Sequence, residues 1–157
     1  MSNERAEYAG LHIRPLIETD ETAWIELWDE YLTFYETVLP PEQTQLTWQR
    51  ILDPQGSVEG RAAVIGGEVV GFIHYLFHPS TWSEYGYCYL EDLYVREGIR
   101  GGGVGRTLIE DALVHARAAK VSRVYWTTLR DNERARRLYD SMAELTDYVQ
   151  YRVELDS

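Results

Sequence analysis

Hydrophobic positions along this chain switch period several times, and each switch marks an element. Leu11-His12-Ile13-Arg14-Pro15-Leu16 alternates apolar and polar side chains, as a half-buried first strand does. Trp24, Leu27, Trp28, Tyr31, Leu32 and Tyr35 then recur at intervals of three and four, which is one face of a helix capped at Thr19-Asp20 and ended by Pro40-Pro41. Leu46, Trp48, Ile51 and Leu52 predict a second, short helix that stops near Asp53-Pro54. Residues 61–65, the turn Gly66-Gly67 and residues 69–77 read as a hairpin. A loop is expected over 78–85 because it contains Pro79 and precedes Gly86, and a strand is expected over 87–95. Beyond a glycine-rich run, Val104, Leu108, Ala112, Leu113 and Ala116 mark a helix ending near Lys120, and residues 121–127 form the next strand. Asp131-Asn132 caps a last helix with Ala135, Leu138, Tyr139 and Met142 on its apolar face, and residues 148–155 alternate as a closing strand.

The glycine run, Arg100-Gly101-Gly102-Gly103-Val104-Gly105, falls between a strand and a helix. Glycine permits positive φ and close approach of a ligand, and the first amides of the following helix have no intrahelical acceptor. With Arg100 and Arg106 beside them, these donors form an anion site. A Walker loop is excluded because Gly105 is followed by Arg106 and Thr107, with no lysine. A dinucleotide fingerprint also fails, since neither Gly101 nor Gly103 starts a G-x-G-x-x-G run that ends in glycine.

What remains is R-x-x-G-x-G after the strand Leu90-Glu91-Asp92-Leu93-Tyr94-Val95, and here the chain resembles the GNAT acetyltransferase superfamily. The order strand, two helices, three strands, helix, strand, helix, strand is similar to that fold over essentially the whole chain. Trp24 to Tyr35, Thr81-Trp82 and Asp92-Leu93-Tyr94-Val95 resemble the branch that acetylates histone tails and polyamines. The resemblance implies an α/β (α+β) GNAT fold, a mixed, mostly antiparallel sheet of six to seven strands flanked by about four helices. At 157 residues and 45% hydrophobic, residues 1–157 suit a single domain.

Charge adds a direction. Residues 1–90 carry four arginines against fourteen acidic residues, whereas residues 91–157 hold eleven basic and twelve acidic ones, within a net charge of -11. The nearly neutral half holds the anion site, and the acidic half suits a cationic acceptor. That balance argues against nucleic acid as a partner. No stretch has the length of a membrane span and the polar start, Met1 to Gly10, lacks a signal peptide's apolar region, so a cytoplasmic protein with no membrane partner is expected. The lone Cys88 lies in an apolar aromatic stretch and reads as a buried structural thiol. His74 and His78 lie four apart on a strand pattern rather than on a helical turn, so no metal is expected.

Acetyl transfer to an amine needs a held thioester, a neutral amine, a polarised carbonyl and a proton for the departing thiolate. The resemblance gives the pyrophosphate of acetyl-CoA, the expected cosubstrate, to the amides of Gly101, Gly102, Gly103, Val104, Gly105 and Arg106, with Arg100 beside them. It gives the pantetheine arm to the backbone of Leu93, Tyr94 and Val95 and to Asn132. The polyamine acetyltransferases that the chain resembles place a glutamate in this Leu-Glu-Asp context, next to a bulge where the cofactor arm docks, which implies Glu91 as the base and Asp92 as the second candidate, with a water relay or simple ordering of the bulge still open. Tyr139, seven residues after Asn132 on one helix face, is implied as the proton donor to the thiolate. The family usually follows this tyrosine with a basic residue and Gly-Phe; Asp140-Ser141-Met142-Ala143-Glu144 departs from that on the acceptor side. Tyr31, Tyr35, Trp82 and Tyr85 are candidates for an ammonium cage.

The activity expected is acetyl transfer to a primary amine of a cationic acceptor, polyamine-like or a protein lysine, by direct attack in a ternary complex. The alternatives are a non-catalytic acyl-CoA sensor, or an acetyltransferase for an amino acid or antibiotic amine. Exposed aromatics and the closing strand make a homodimer a candidate.

Overall fold

The computed structural model describes residues 10–99 and 102–156, so Arg100 and Gly101 of the glycine run lie outside the described residues. The chain divides into two compact units, residues 1–126 and 127–157.

The first unit is built on a five-stranded sheet in the order β1 (His12–Pro15), β2 (Val58–Ile65), β3 (Glu68–Ser80), β4 (Ser83–Val95) and β5 (Val124–Tyr125). The first three pairings are antiparallel and β4–β5 is parallel. Among the described residues three α-helices accompany it: α1 (Glu21–Phe34), α2 (Pro41–Leu52) and α3 (Val104–Ala118). The second unit contains α4 (Glu133–Asp140).

The apolar periodicity finds its use directly. Trp24, Leu27 and Trp28 of α1 pack with Trp48 and Ile51 of α2 and with Ala62, Val64, Phe72 and Tyr94 of the sheet. Strand alternation sends Ala63, Ile73, Cys88 and Leu90 to the other face, where α3 contributes Val104, Leu108, Ile109, Ala112 and Ala116. Pro41 occupies the first turn of α2, where a missing N–H costs nothing.

Three expectations are corrected. The loop expected over 78–85 is a tight hairpin, with β3 running to Ser80 and β4 starting at Ser83. Pro79 is absorbed at a register break, and Gly86 adopts φ +79 with the His78 carbonyl so close that a Cβ would meet it at 2.1 Å. The strand expected over 121–127 shrinks to Val124–Tyr125. Residues 148–155 form no strand, so the sheet of the described residues has five strands rather than six to seven. Alternation marks which faces a strand would have, but a strand also needs a ladder partner; here Tyr148, Tyr151, Val153 and Leu155 are all strongly exposed.

Candidate active site

β4 departs from regular pairing beside its most chemically interesting residues. His74 pairs with Asp92 and Tyr75 with Leu90, which leaves Glu91 as an extra residue without a partner on β3. That is a β-bulge, the feature expected at this position. It sets two carboxylates side by side, and the two are treated differently by their surroundings.

Asp92 is gripped. Its Oδ1 accepts from the Tyr31 hydroxyl at 2.6 Å, and its Oδ2 lies 2.9 Å from Nδ1 of His74. His74 is 1% exposed, stacked on Phe72, and its Nε2 lies 3.0 Å from Trp24 Nε1. An indole nitrogen can only donate, so Nε2 of His74 accepts, the ring proton sits on Nδ1, and Nδ1 donates to Asp92. His78, four residues on and therefore on the same strand face, is used differently: it contacts the Pro79 carbonyl and the Tyr125 hydroxyl at the far end of β3.

Glu91 is solvent-accessible, yet burial of part of its surroundings and then the charge of Asp92 push its carboxyl above the usual range. Tyr31 is pushed up by burial first and then by Asp92, and Tyr35 follows the same order, so both phenols stay protonated at any physiological pH. The Cys88 thiol is fully buried and pushed up to about 11 by burial, which leaves it neutral and unsuited to nucleophilic work.

The four aromatics expected as one cage are separated. Tyr31 and Tyr35 touch each other at the end of α1, with ring centroids 4.9 Å apart. Trp82 and Tyr85 lie at the β3–β4 hairpin; six residues of strand, about 20 Å, separate Tyr85 from Glu91. The Tyr85 ring is faced by Lys120 Nζ at 5.6 Å.

The cosubstrate side is shaped by two features. β5 pairs with β4 only at Cys88 and Tyr89, so Leu93, Tyr94 and Val95 lie beyond the end of that ladder. Gly103 is the N-cap of α3, with φ +82, no capping side chain and nothing within 4 Å of a would-be Cβ. The helix therefore opens at Val104, Gly105 and Arg106 behind a residue with no side chain to offer its first amides, and Gly102 leads into it. A helix start whose N-cap is a left-handed glycine suits a phosphate, so the described part of the run fits the pyrophosphate of acetyl-CoA.

In the second unit, Asn132 is the N-cap of α4, its side-chain oxygen accepting from the Ala135 amide at 3.3 Å. The same residue singled out for the pantetheine arm thus starts the helix that carries Tyr139, which is half-buried. The sequence reading placed Trp24 on a helix face and His74 on a strand without giving either a role at the site; a histidine inside an apolar strand pattern was the available signal.

A model of the acetyltransferase (GNAT) family matches residues 22–143. The chain is 40% identical to D-amino-acid N-acetyltransferase HPA3 of Saccharomyces cerevisiae over 157 residues, 97% of this chain and 98% of that protein. It is 37% identical to thialysine N-epsilon-acetyltransferase of Caenorhabditis elegans over 93 residues, 59% of this chain and 55% of that one. The fold is shared with AAC(6')-Iy, solved with the bisubstrate analog CoA-S-monomethyl-acetylneamine, at TM-score 0.79 and 17% identity over 93% of this chain and 99% of that chain. With the glycine-capped helix and the bulged strand in place, the chain belongs to the GNAT acetyltransferase family and is an N-acetyltransferase.

Proposed function

We propose that this enzyme moves the acetyl group of acetyl-CoA onto a primary amine of a cationic acceptor by direct attack in a ternary complex, with residues 1–157 acting as one catalytic domain. The observation that carries the reading is the bulge at Glu91, which sets an accessible carboxyl with raised proton affinity beside an anchored carboxylate. An alkylammonium with a pKa of about 10.4 costs about 4 to 5 kcal/mol to deprotonate at pH 7, and a base of raised pKa reduces that cost.

Acetyl-CoA supplies the activated acyl group when bound. Glu91 takes the proton from the acceptor ammonium, and Tyr139 holds the proton destined for the departing sulfur. The amides of Gly102 to Arg106, with Arg100 and Gly101, bind the pyrophosphate, and the backbone of Leu93 to Val95, with Asn132, orients the pantetheine arm. A second reading narrows the acceptor to an amino acid. The names of two relatives favour it, one a D-amino-acid and the other a thialysine acetyltransferase.

The test is release of CoA thiol from acetyl-CoA with spermidine, small diamines, a basic peptide, D-amino acids, thialysine and an aminoglycoside as separate acceptors. Turnover on polyamines or the peptide supports the cationic reading, and turnover on free amino acids alone supports the second. No turnover on any acceptor, with a calorimetric signal for acetyl-CoA, overturns both. Tyr139→Phe is expected to lower kcat about a hundredfold with KM for acetyl-CoA unchanged; full retained turnover removes the proton-donor role.

A further inference from the structure

Asp92 is held by an unusual set of partners for a carboxylate at a sheet surface. Its side chain is 13% exposed, each oxygen has one donor, and those donors are a phenol on α1 and a neutral imidazole on β3. The imidazole is in turn fixed by Trp24 from the other end of its ring. Neither donor neutralises the charge it binds.

We propose that the hydrogen-bonded chain Trp24–His74–Asp92–Tyr31 is a positioning device that holds the Asp92 carboxylate fixed beside Glu91 with both of its oxygens engaged, so that Glu91 is the carboxyl left to accept the proton and does so in the field of Asp92. The inference rests on Glu91 being the base and assigns His74, Trp24 and Tyr31 as positioning residues acting through Asp92.

Three lines of geometry support this. Both oxygens of Asp92 are engaged by donors from two different elements, which fixes the carboxylate, whereas Glu91 next to it is exposed. The tautomer of His74 is dictated by Trp24, since with Nε2 accepting, the ring has only Nδ1–H to offer, and Asp92 is where it points. The titratable groups around the carboxylate pair come from every neighbouring element: Tyr31 on α1 and Tyr35 just past its end, His74 on β3 and Tyr125 on β5. The phenols among them remain neutral as the pair titrates, so Asp92 is the neighbouring charge that raises the proton affinity of Glu91, against a smaller opposing contribution from His74. Helix α1 is thereby tied to catalysis through its buried face rather than only through contact with substrate.

The experiment measures kcat/KM against pH for the wild type, Glu91→Gln, His74→Phe, His74→Asn and Tyr31→Phe, with acetyl-CoA KM and thermal melts alongside. His74→Phe keeps a ring in the stack but removes the donor to Asp92. The Asp92 carboxylate is then no longer held beside Glu91, its field at Glu91 weakens, and the acidic limb of the profile moves down by about one pH unit with a lower plateau. Tyr31→Phe moves it the same way. His74→Asn keeps an N–H where Nδ1 was and holds the limb near its wild-type position. A merely structural role lowers the melting temperature and the rate without moving the limb, so unmoved limbs in both His74→Phe and Tyr31→Phe overturn the proposal. Glu91→Gln separates this from the underlying reading: retention of the wild-type limb in that variant shows that another group is the base.

Discussion

Two carboxylates, one on each face of the sheet, are almost equally buried and serve opposite ends. Asp111 on α3 is 18% exposed at its side chain and Asp92 is 13% exposed. Asp111 accepts from Nε and a terminal nitrogen of Arg61, the second at 3.2 Å, which ties α3 to β2. Asp92 accepts from a phenol and a neutral imidazole. Burial therefore does not distinguish them; the charge of the donors does. An arginine cancels the field of its partner and leaves a structural clasp, whereas neutral donors satisfy the hydrogen bonds and leave the field intact for a neighbour to feel. Glu91 is that neighbour.

The comparison can be broken from either side. The largest effect on stability is expected for Arg61→Ala, which strands Asp111 in a mostly buried place and costs about 2 kcal/mol, read by urea denaturation. Its pH–rate profile is expected to keep the wild-type acidic limb, because Asp111 plays no part in the chemistry. Asp92→Asn is isosteric and lets the amide serve both Tyr31 and His74 while removing the charge. Its acidic limb is expected about one pH unit lower and kcat about tenfold down, and a limb that stays in place contradicts the role of the field.

The smallest effect concerns stability again. The carboxyl of Glu91 lies above its unfolded value in the native state, so between those two values the native state binds more protons than the unfolded one, and stability falls as pH rises through that window. Glu91→Gln should therefore raise the melting temperature slightly at pH 7 and leave it unchanged below about pH 4, where both states are protonated. An equal shift at both pH values sinks this account of Glu91.

Local patterns were legible where a single element decides the outcome. The α1 face and the left-handed Gly103 before α3 each sit within one short segment, and periodicity or glycine chemistry reads them directly, whereas the bulge at Leu90-Glu91-Asp92 was expected from the family resemblance. The partners of Asp92 were not legible in the same way. Tyr31 is 61 residues from Asp92, and Trp24 is 50 from His74, so only the packing of α1 over β3 and β4 brings them together. Tyr31 and Tyr35 look like cage aromatics in the sequence for the same reason, because spacing reveals the face but not which atom at the end of the ring meets a carboxylate. Residues 148–155 mislead in the opposite direction, offering alternation without a ladder partner among the described residues.

The central claim is that Glu91 accepts the proton of the acceptor amine. It is tested most directly by kcat/KM for CoA release across pH in the wild type and in Glu91→Gln, using whichever acceptor turns over best. The account predicts an acidic limb in the wild type that is absent from the variant, with kcat at least about a hundredfold lower at every pH above it. A variant that keeps the limb, or keeps kcat within about threefold of the wild type, contradicts it.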